Sequence, residues 1–116
     1  MYIIIVGCGK IGSHLAKLLQ DDHNVVVVDK EEKNLQKLGE NFNGLTITGD
    51  GMDIETLKEA GIEKADALAV TTSNDNTNIV ISHIARKIFN LSKVISRVSD
   101  TGKDEIGNLG KAFNLM

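Results

Sequence analysis

The chain has 116 residues, a formal net charge of −3 and 41% hydrophobic residues, which is the size and composition of one globular domain. Its acidic balance and its aromatic content of 3% leave no basic footprint for nucleic acid and few platforms for stacking bases. The single cysteine excludes an internal disulfide framework. No apolar run reaches the roughly 18 to 20 residues of a membrane span. We therefore expect one soluble, intracellular domain over residues 1–116.

Short apolar runs alternate with segments of helical spacing along the chain. The runs are rich in β-branched residues, which predicts buried strands at residues 2–6, 25–28, 45–48, 67–71 and 93–98. The spacing predicts helices at about residues 10–21, 31–41, 53–60 and 74–89, and a last helix from residue 104 onward. Such alternation is typical of βαβ units. We therefore expect an α/β fold with a parallel sheet.

A glycine-rich turn follows the first predicted strand and opens the first predicted helix. It consists of six consecutive residues with G-x-G-x-x-G spacing: Gly7, Cys8, Gly9, Lys10, Ile11 and Gly12. The first glycine permits a sharp turn, the second lets the backbone approach a phosphate, and the third lets the helix pack on the strand. Free N–H groups and the helix dipole favour an anion at this end of the helix.

An acidic residue at the end of the second predicted strand strengthens this interpretation. Asp29 lies where a carboxylate can accept hydrogen bonds from ribose hydroxyls. It would repel a 2′-phosphate, so NAD(H) is favoured over NADP(H), although Lys30 beside it weakens that discrimination. The ribose of ATP or ADP carries the same hydroxyls, so these ligands stay open. The alternative is a glycine turn that serves packing only, with Asp29 as a helix cap.

Further candidate residues follow the third and fourth predicted strands or lie late in the fifth, at the sheet edge that lines the ligand crevice in such folds. They are Asp50, Gly51, Thr71, Thr72 and Arg97. Asp50 and Gly51, which follow the third strand, can face adenine or ribose, or they can form a plain turn. The two threonines can line the far ribose, beside a cap for the next helix at Ser73 or Asn74. Arg97 in an apolar strand requires a partner, either phosphate or a carboxylate.

No constellation for catalysis or metal binding accompanies these residues. His14, His23 and His83 lack the spacing of metal ligands, and Cys8 is interpreted as a buried filler rather than a reactive thiol. No tyrosine–lysine pair follows the fourth strand, the sole tyrosine being Tyr2. We expect a nucleotide-binding protein that is not an enzyme and holds no metal. The alternatives are the cofactor-binding domain of an NAD-dependent oxidoreductase and a degenerate Rossmann domain that binds only a partner.

Together these segments resemble the N-terminal nucleotide-binding domain, called RCK or KTN, of the Trk/Ktr potassium-uptake regulators. The resemblance covers about residues 1–110. It implies an α/β fold, a doubly wound Rossmann-like parallel sheet with strand order 3-2-1-4-5, here without a sixth strand. Its most specific part is the Leu-x-x-Ala-Gly-Ile-x-x-Ala-Asp run at residues 57–66. The other segments that carry it are residues 1–12, Val28-Asp29, Thr48-Gly-Asp50, Thr71-Thr72 with Asn78, and Ile95-Ser-Arg-Val98.

The resemblance implies a regulatory subunit or domain that binds NAD(H) or ATP/ADP and controls gating of a membrane-embedded potassium transporter or channel by conformational change. It implies a homodimer or larger ring in the cytoplasm, at the inner face of the cell membrane. By position, residues 7–11 would hold phosphates, Asp29 the adenosine ribose, Thr71 and Thr72 the far ribose or nicotinamide side, and Arg97 phosphate.

Two departures qualify these implications. Lys10 stands where many members have arginine, which keeps the charge. The sequence ends before a sixth strand and a C-terminal ligand-binding domain, which leaves ring assembly open and predicts either a trimmed domain or the first part of a longer protein.

Overall fold

The computed structural model describes residues 1–97, which form a five-stranded parallel sheet with helices on both faces. The strands are β1 (Tyr2–Val6), β2 (Asn24–Asp29), β3 (Leu45–Thr48), β4 (Ala67–Val70) and β5 (Lys93–Ser96). The helices are α1 (Lys10–Leu19), α2 (Glu32–Leu35), α3 (Ile54–Glu59) and α4 (Asp75–Lys87). The strand order β3-β2-β1-β4-β5 confirms the predicted doubly wound α/β fold. The predicted last helix and any sixth strand lie outside the described residues.

The central strand β1 is apolar throughout because both of its faces are covered. Ile4 and Val6 face a core that includes Leu57 of α3 and Ile81 of α4. Ile3 and Ile5 face a second core, which α1, α2 and the segment after α2 cover from the opposite side. Successive side chains of a strand point to opposite faces, so an uninterrupted apolar run supplies both cores. Each fully buried aliphatic side chain stabilises the fold by about 1.5–3 kcal/mol.

The helix predicted over residues 31–41 is much shorter than expected. α2 ends at Leu35, and a 3-10 helix, Gln36–Leu38, follows it directly. Leu35 and Leu38 both reach the core, being 7% and 5% exposed. Gly39 then adopts a φ of +80°, a conformation that L residues rarely adopt and that ends the helical segment.

The other helices and strands begin and end closer to the positions predicted from the sequence. The side chain of Asp53 accepts a hydrogen bond from the N–H of Glu55 and caps α3, as predicted. Asn74 caps α4 by accepting from the N–H of Thr77. α1 ends at Leu19 rather than near residue 21, and β5 ends at Ser96 rather than at residue 98. Within residues 1–97, no helix combines the length and the apolar character that crossing a bilayer requires.

Candidate functional site

A cavity of about 410 Å³ opens at the carboxyl ends of the strands. Ligands bind at this position in doubly wound sheets, where the strand order reverses between β1 and β4. The volume falls within the roughly 300–1,000 Å³ of small-molecule sites. All the predicted site residues line it except Cys8 and Gly12; those present are Gly7, Gly9, Lys10, Ile11, Asp29, Lys30, Asp50, Gly51, Thr71, Thr72 and Arg97.

The three glycines of the turn differ in what requires them. Gly7 has a φ of +103°, and a Cβ there would lie 2.8 Å from the backbone nitrogen of Thr72. A Cβ on Gly12 would lie 1.8 Å from the carbonyl oxygen of Gly7. A Cβ on Gly9 would meet no atom within 4 Å. The protein's own packing therefore requires Gly7 and Gly12, whereas Gly9 leaves open space on the cavity.

The N-terminus of α1 faces this cavity without a protein cap. Gly9 is the N-cap residue and makes no side-chain cap hydrogen bond, and the first turn contains no acidic residue. N–H groups of a first helical turn have no acceptor within the helix. Lys10 adds a positive charge at the positive end of the helix dipole, which disfavours the helix unless an anion balances it. The arrangement favours a bound anion such as phosphate.

Hydrogen bonds fix the Asp29 carboxylate at the edge of the cavity. Oδ2 accepts from the backbone N–H of Cys8 at 2.7 Å. Oδ1 accepts from the backbone N–H of Glu31 at 2.8 Å and from the Asn34 side-chain amide at 3.1 Å. Asp29 forms the turn before α2, but the N-cap residue of α2 is Glu31, so Asp29 is not the helix cap of the alternative interpretation. Three hydrogen bonds from the protein therefore hold the carboxylate in place at the cavity lining.

Asn34 was missed by the sequence analysis, although it lines the cavity beside Asp29. It lay within a predicted helix whose start was placed at residue 31. Its position five residues after Asp29 became informative only once the start of α2 and the preceding turn were known. Thr77 and Ile81 of α4 also line the cavity and carried no sequence signal for a site.

Cys8 lies beneath the turn rather than on the cavity. Its side chain is fully buried among α1, β1 and β2 residues, which confirms the prediction of a buried filler. Burial raises the pKa of the thiol, the charge of Asp29 raises it further, and Lys37 and Lys17 act in the opposite direction. The thiol is therefore neutral near pH 7 and unsuited to nucleophilic chemistry.

The two threonines after β4 have different surroundings. Thr71 is 7% exposed, and its hydroxyl donates to the carbonyl of Gly7 at 2.9 Å, so it supports the glycine turn. The Thr72 hydroxyl is nearer the surface, and its oxygen accepts from the backbone N–H of Asn74 at 3.3 Å. Both residues line the cavity.

Arg97 follows β5 directly and completes the side of the cavity opposite Asp29. Its Nη1 donates to the carbonyl oxygen of Thr72 at 3.3 Å. That acceptor is neutral, so the bond holds the guanidinium in place without compensating its charge. A guanidinium at this position is a candidate contact for an anionic ligand.

Asp50 forms the turn that its sequence allowed and also lies on the cavity. Its Oδ1 accepts from the backbone N–H of Met52 at 2.9 Å, which forms a tight turn after β3. Asp50 also lines the cavity, as does Gly51, where a Cβ would lie 2.5 Å from Val6 Cγ1. In the part of the chain that the structure describes, no group of three or more histidine, cysteine, aspartate or glutamate residues could hold a metal ion.

Comparison with known proteins places this fold and cavity in a family. Residues 3–112 match the TrkA-N domain. The chain is 43% identical over 107 residues to the Trk system potassium uptake protein TrkA of Streptomyces coelicolor. The match covers 91% of this chain and 48% of that protein, so the chain spans about half the length of this relative.

Two solved structures extend the likeness to three dimensions. The TrkA-N domain of the inner membrane protein ybaL from Escherichia coli has a TM-score of 0.76 and 26% identity, covering 96% of this chain and 81% of that one. The NAD(P)-binding domain of an exopolyphosphatase-related protein from Archaeoglobus fulgidus has a TM-score of 0.71 and 25% identity, with the same two coverages. The chain therefore belongs to the TrkA-N domain family, which confirms the resemblance found in its sequence.

Proposed function

We propose that this chain is the nucleotide-sensing domain of a regulator of potassium uptake. The observation that carries the proposal is that one cavity combines the uncapped N-terminus of α1 with the fixed carboxylate of Asp29. The first suits phosphates and the second suits a ribose diol. The name of the Streptomyces coelicolor relative supports the role in potassium uptake.

The ligand we propose is NAD(H), with ATP or ADP as the second candidate. Asp29 and Asn34, here called the near wall, offer an acceptor and an amide for the adenosine ribose. Thr72 and Arg97, here called the far wall, offer a hydroxyl and a cation. A dinucleotide can engage both walls through its second ribose and its diphosphate, and AMP has neither group. The NAD(P)-binding name of the Archaeoglobus fulgidus neighbour supports the first candidate.

The mechanism we propose is conformational. A ligand shifts an equilibrium between two arrangements only by its different affinity for them. Nucleotides that contact the far wall to different extents would therefore favour different arrangements of the domain. A membrane-embedded potassium transporter or channel would respond by gating, with the domain on its cytoplasmic side as a homodimer or larger ring.

An oxidoreductase is the alternative function, and the side chains on the cavity argue against it. Among the described residues, the cavity lining contains no histidine, cysteine or tyrosine. A reduction of a carbonyl needs a proton donor within hydrogen-bond reach of the substrate. The lysines and carboxylates that do line the cavity, Lys10 and Asp29 among them, are assigned here to nucleotide binding, so we propose that the domain binds nucleotide without chemical turnover.

Thermal-shift titration with NAD, NADH, ATP, ADP and AMP tests the binding part of the proposal. A ligand at 100 times its Kd stabilises the folded state by about 2.7 kcal/mol, which corresponds to a rise in Tm of several degrees. Asp29→Asn should lose most of the shift, and Asp22→Asn, which removes the same charge from an exposed turn, should keep it. No shift with any of these nucleotides would refute nucleotide sensing.

Potassium uptake by cells that produce the full-length protein tests the regulatory part. We expect Asp29→Asn to change the uptake rate, and Asp22→Asn to leave it as in the wild type. Equal uptake by both variants and the wild type, with nucleotide binding lost in Asp29→Asn, would refute the regulatory role while leaving the binding site intact.

A further inference from the structure

We propose that Asn78, which does not line the cavity, positions the far wall and thereby sets the preference for ligands long enough to reach it. This inference rests on the nucleotide site proposed above. Asn78 lies in the second turn of α4, behind Thr72 and Arg97, and its side chain is 0% exposed. An asparagine in that position must have its polar groups satisfied within the protein.

The Asn78 amide is hydrogen-bonded at every position it offers. Its Nδ2 donates to the carbonyl oxygen of Thr72 at 3.0 Å and to the carbonyl oxygen of Arg97 at 3.0 Å. Its Oδ1 accepts from the backbone N–H of Thr72 at 3.1 Å and also from the Thr72 hydroxyl. Two donors and two acceptor positions are the full capacity of a primary amide. The partners also fix its orientation, because a flipped amide would place its oxygen against two carbonyls.

These bonds join two segments that approach the cavity from different strands. Thr72 belongs to the loop after β4, and Arg97 follows β5. The bond from Arg97 Nη1 to the Thr72 carbonyl closes the same network on the cavity side. The buried Asn78 side chain thus holds the Thr72 loop to the backbone of Arg97, in addition to the bond from the Arg97 N–H to the Val70 carbonyl at 2.9 Å. Asn78 acts on a ligand through these two residues and does not contact it.

The substitution Asn78→Asp tests this role with little change in size. It replaces the two N–H donors with a carboxylate oxygen that faces two carbonyl oxygens. The contacts to the carbonyl oxygens of Thr72 and Arg97 then become repulsive, while the near wall keeps its own hydrogen bonds. Asn76→Asp is the matched control, because it makes the same change at an exposed position of the same helix.

Isothermal titration calorimetry with NADH and with AMP distinguishes an effect on the far wall from an effect on the near wall. For Asn78→Asp we expect the affinity for NADH to fall about tenfold or more, as an unsatisfied buried polar group would produce. We expect the affinity for AMP to change by less than about threefold, since AMP lacks the second ribose and the diphosphate that we assign to the far wall. Asn76→Asp should bind both ligands as the wild type does. The NADH-to-AMP selectivity is the readout that a purely structural role would leave unchanged.

Three results would overturn the inference. Equal losses for both ligands would mean that Asn78 only stabilises the fold. Unchanged affinities would mean that the far wall does not depend on it. Wild-type protein that binds AMP but not NADH would show that ligands do not use the far wall. If the wild type binds neither, the proposed nucleotide site itself is wrong. Asn78→Ser, which introduces no charge, provides a second variant with the same expectation if circular dichroism shows Asn78→Asp to be unfolded.

Discussion

Replacing single glycines of the turn by alanine should separate ligand binding from packing. Gly12→Ala places a methyl group 1.8 Å from the carbonyl oxygen of Gly7 and 2.7 Å from the Thr71 hydroxyl. The nearest obstacle is backbone, which cannot move without displacing the turn. Gly9→Ala places its methyl group in open space, at a residue whose φ of −87° suits alanine. The two variants therefore differ in which property they damage.

The magnitudes follow from these contacts. Overpacking lowers the free energy of unfolding by about 1–3 kcal/mol or more, so Gly12→Ala should lower Tm by about 4–8 °C per kcal/mol in a domain of this size. Gly9→Ala replaces a glycine N-cap with a less favourable residue, which lowers the free energy of unfolding. It also reduces the conformational entropy of the unfolded chain, which raises the free energy of unfolding, and each effect amounts to about 0.5–1 kcal/mol. These effects oppose each other, so its stability should stay within about 1 kcal/mol of the wild type.

NADH binding, in contrast to stability, should be damaged in Gly9→Ala. The methyl group of Gly9→Ala occupies the space through which a phosphate would approach the backbone. A steric loss of about 1–3 kcal/mol would weaken NADH binding by roughly tenfold to a hundredfold. Thermal denaturation and isothermal titration calorimetry measure the two properties on the same samples. A stable Gly9→Ala protein that binds NADH within about twofold of the wild type would refute the assignment of this space to the ligand.

Three further predictions concern the charges and the thiol. Asp29→Asn should lower the free energy of unfolding by about 1–3 kcal/mol, because the amide meets the N–H of Cys8 with a donor in one orientation and loses charge-assisted bonds in the other; unchanged urea unfolding would contradict this. Arg97→Gln should weaken NADH binding and reduce its dependence on salt, with little loss of stability since the guanidinium bonds a neutral carbonyl; calorimetry at two salt concentrations measures both effects, and an unchanged salt dependence would argue against an anion at Arg97. Burial and Asp29 raise the folded-state pKa of Cys8 above that of the unfolded chain. The protonated thiol therefore contributes to the free energy of unfolding fully below about pH 8.5, and this contribution is lost as pH rises through the folded-state pKa. Urea unfolding at rising pH should therefore show a steeper loss of stability for the wild type than for Cys8→Ala, and parallel curves would contradict the shift.

The sequence by itself determined the features that arise from local chemistry. Apolar runs and helical spacing predicted the five strands and their parallel sheet, because burial on both faces demands continuous apolar residues. The caps at Asp53 and Asn74 were predictable because each accepts from an N–H two or three residues away. The glycine spacing and Asp29 likewise carry their meaning within one βαβ unit.

The tertiary structure decided how those features combine into a site. The Thr71 hydroxyl supports Gly7 across 64 positions of the sequence, and the Asn78 amide reaches Arg97 across 19. Neither bond has a local signature, since each exists only because parallel strands bring their carboxyl ends to one edge of the sheet. The early end of α2 likewise required knowing that Leu38 reaches the core. Residue types and periodicity therefore predicted where the site lies, whereas side-chain contacts between distant segments decided which groups hold its walls in place.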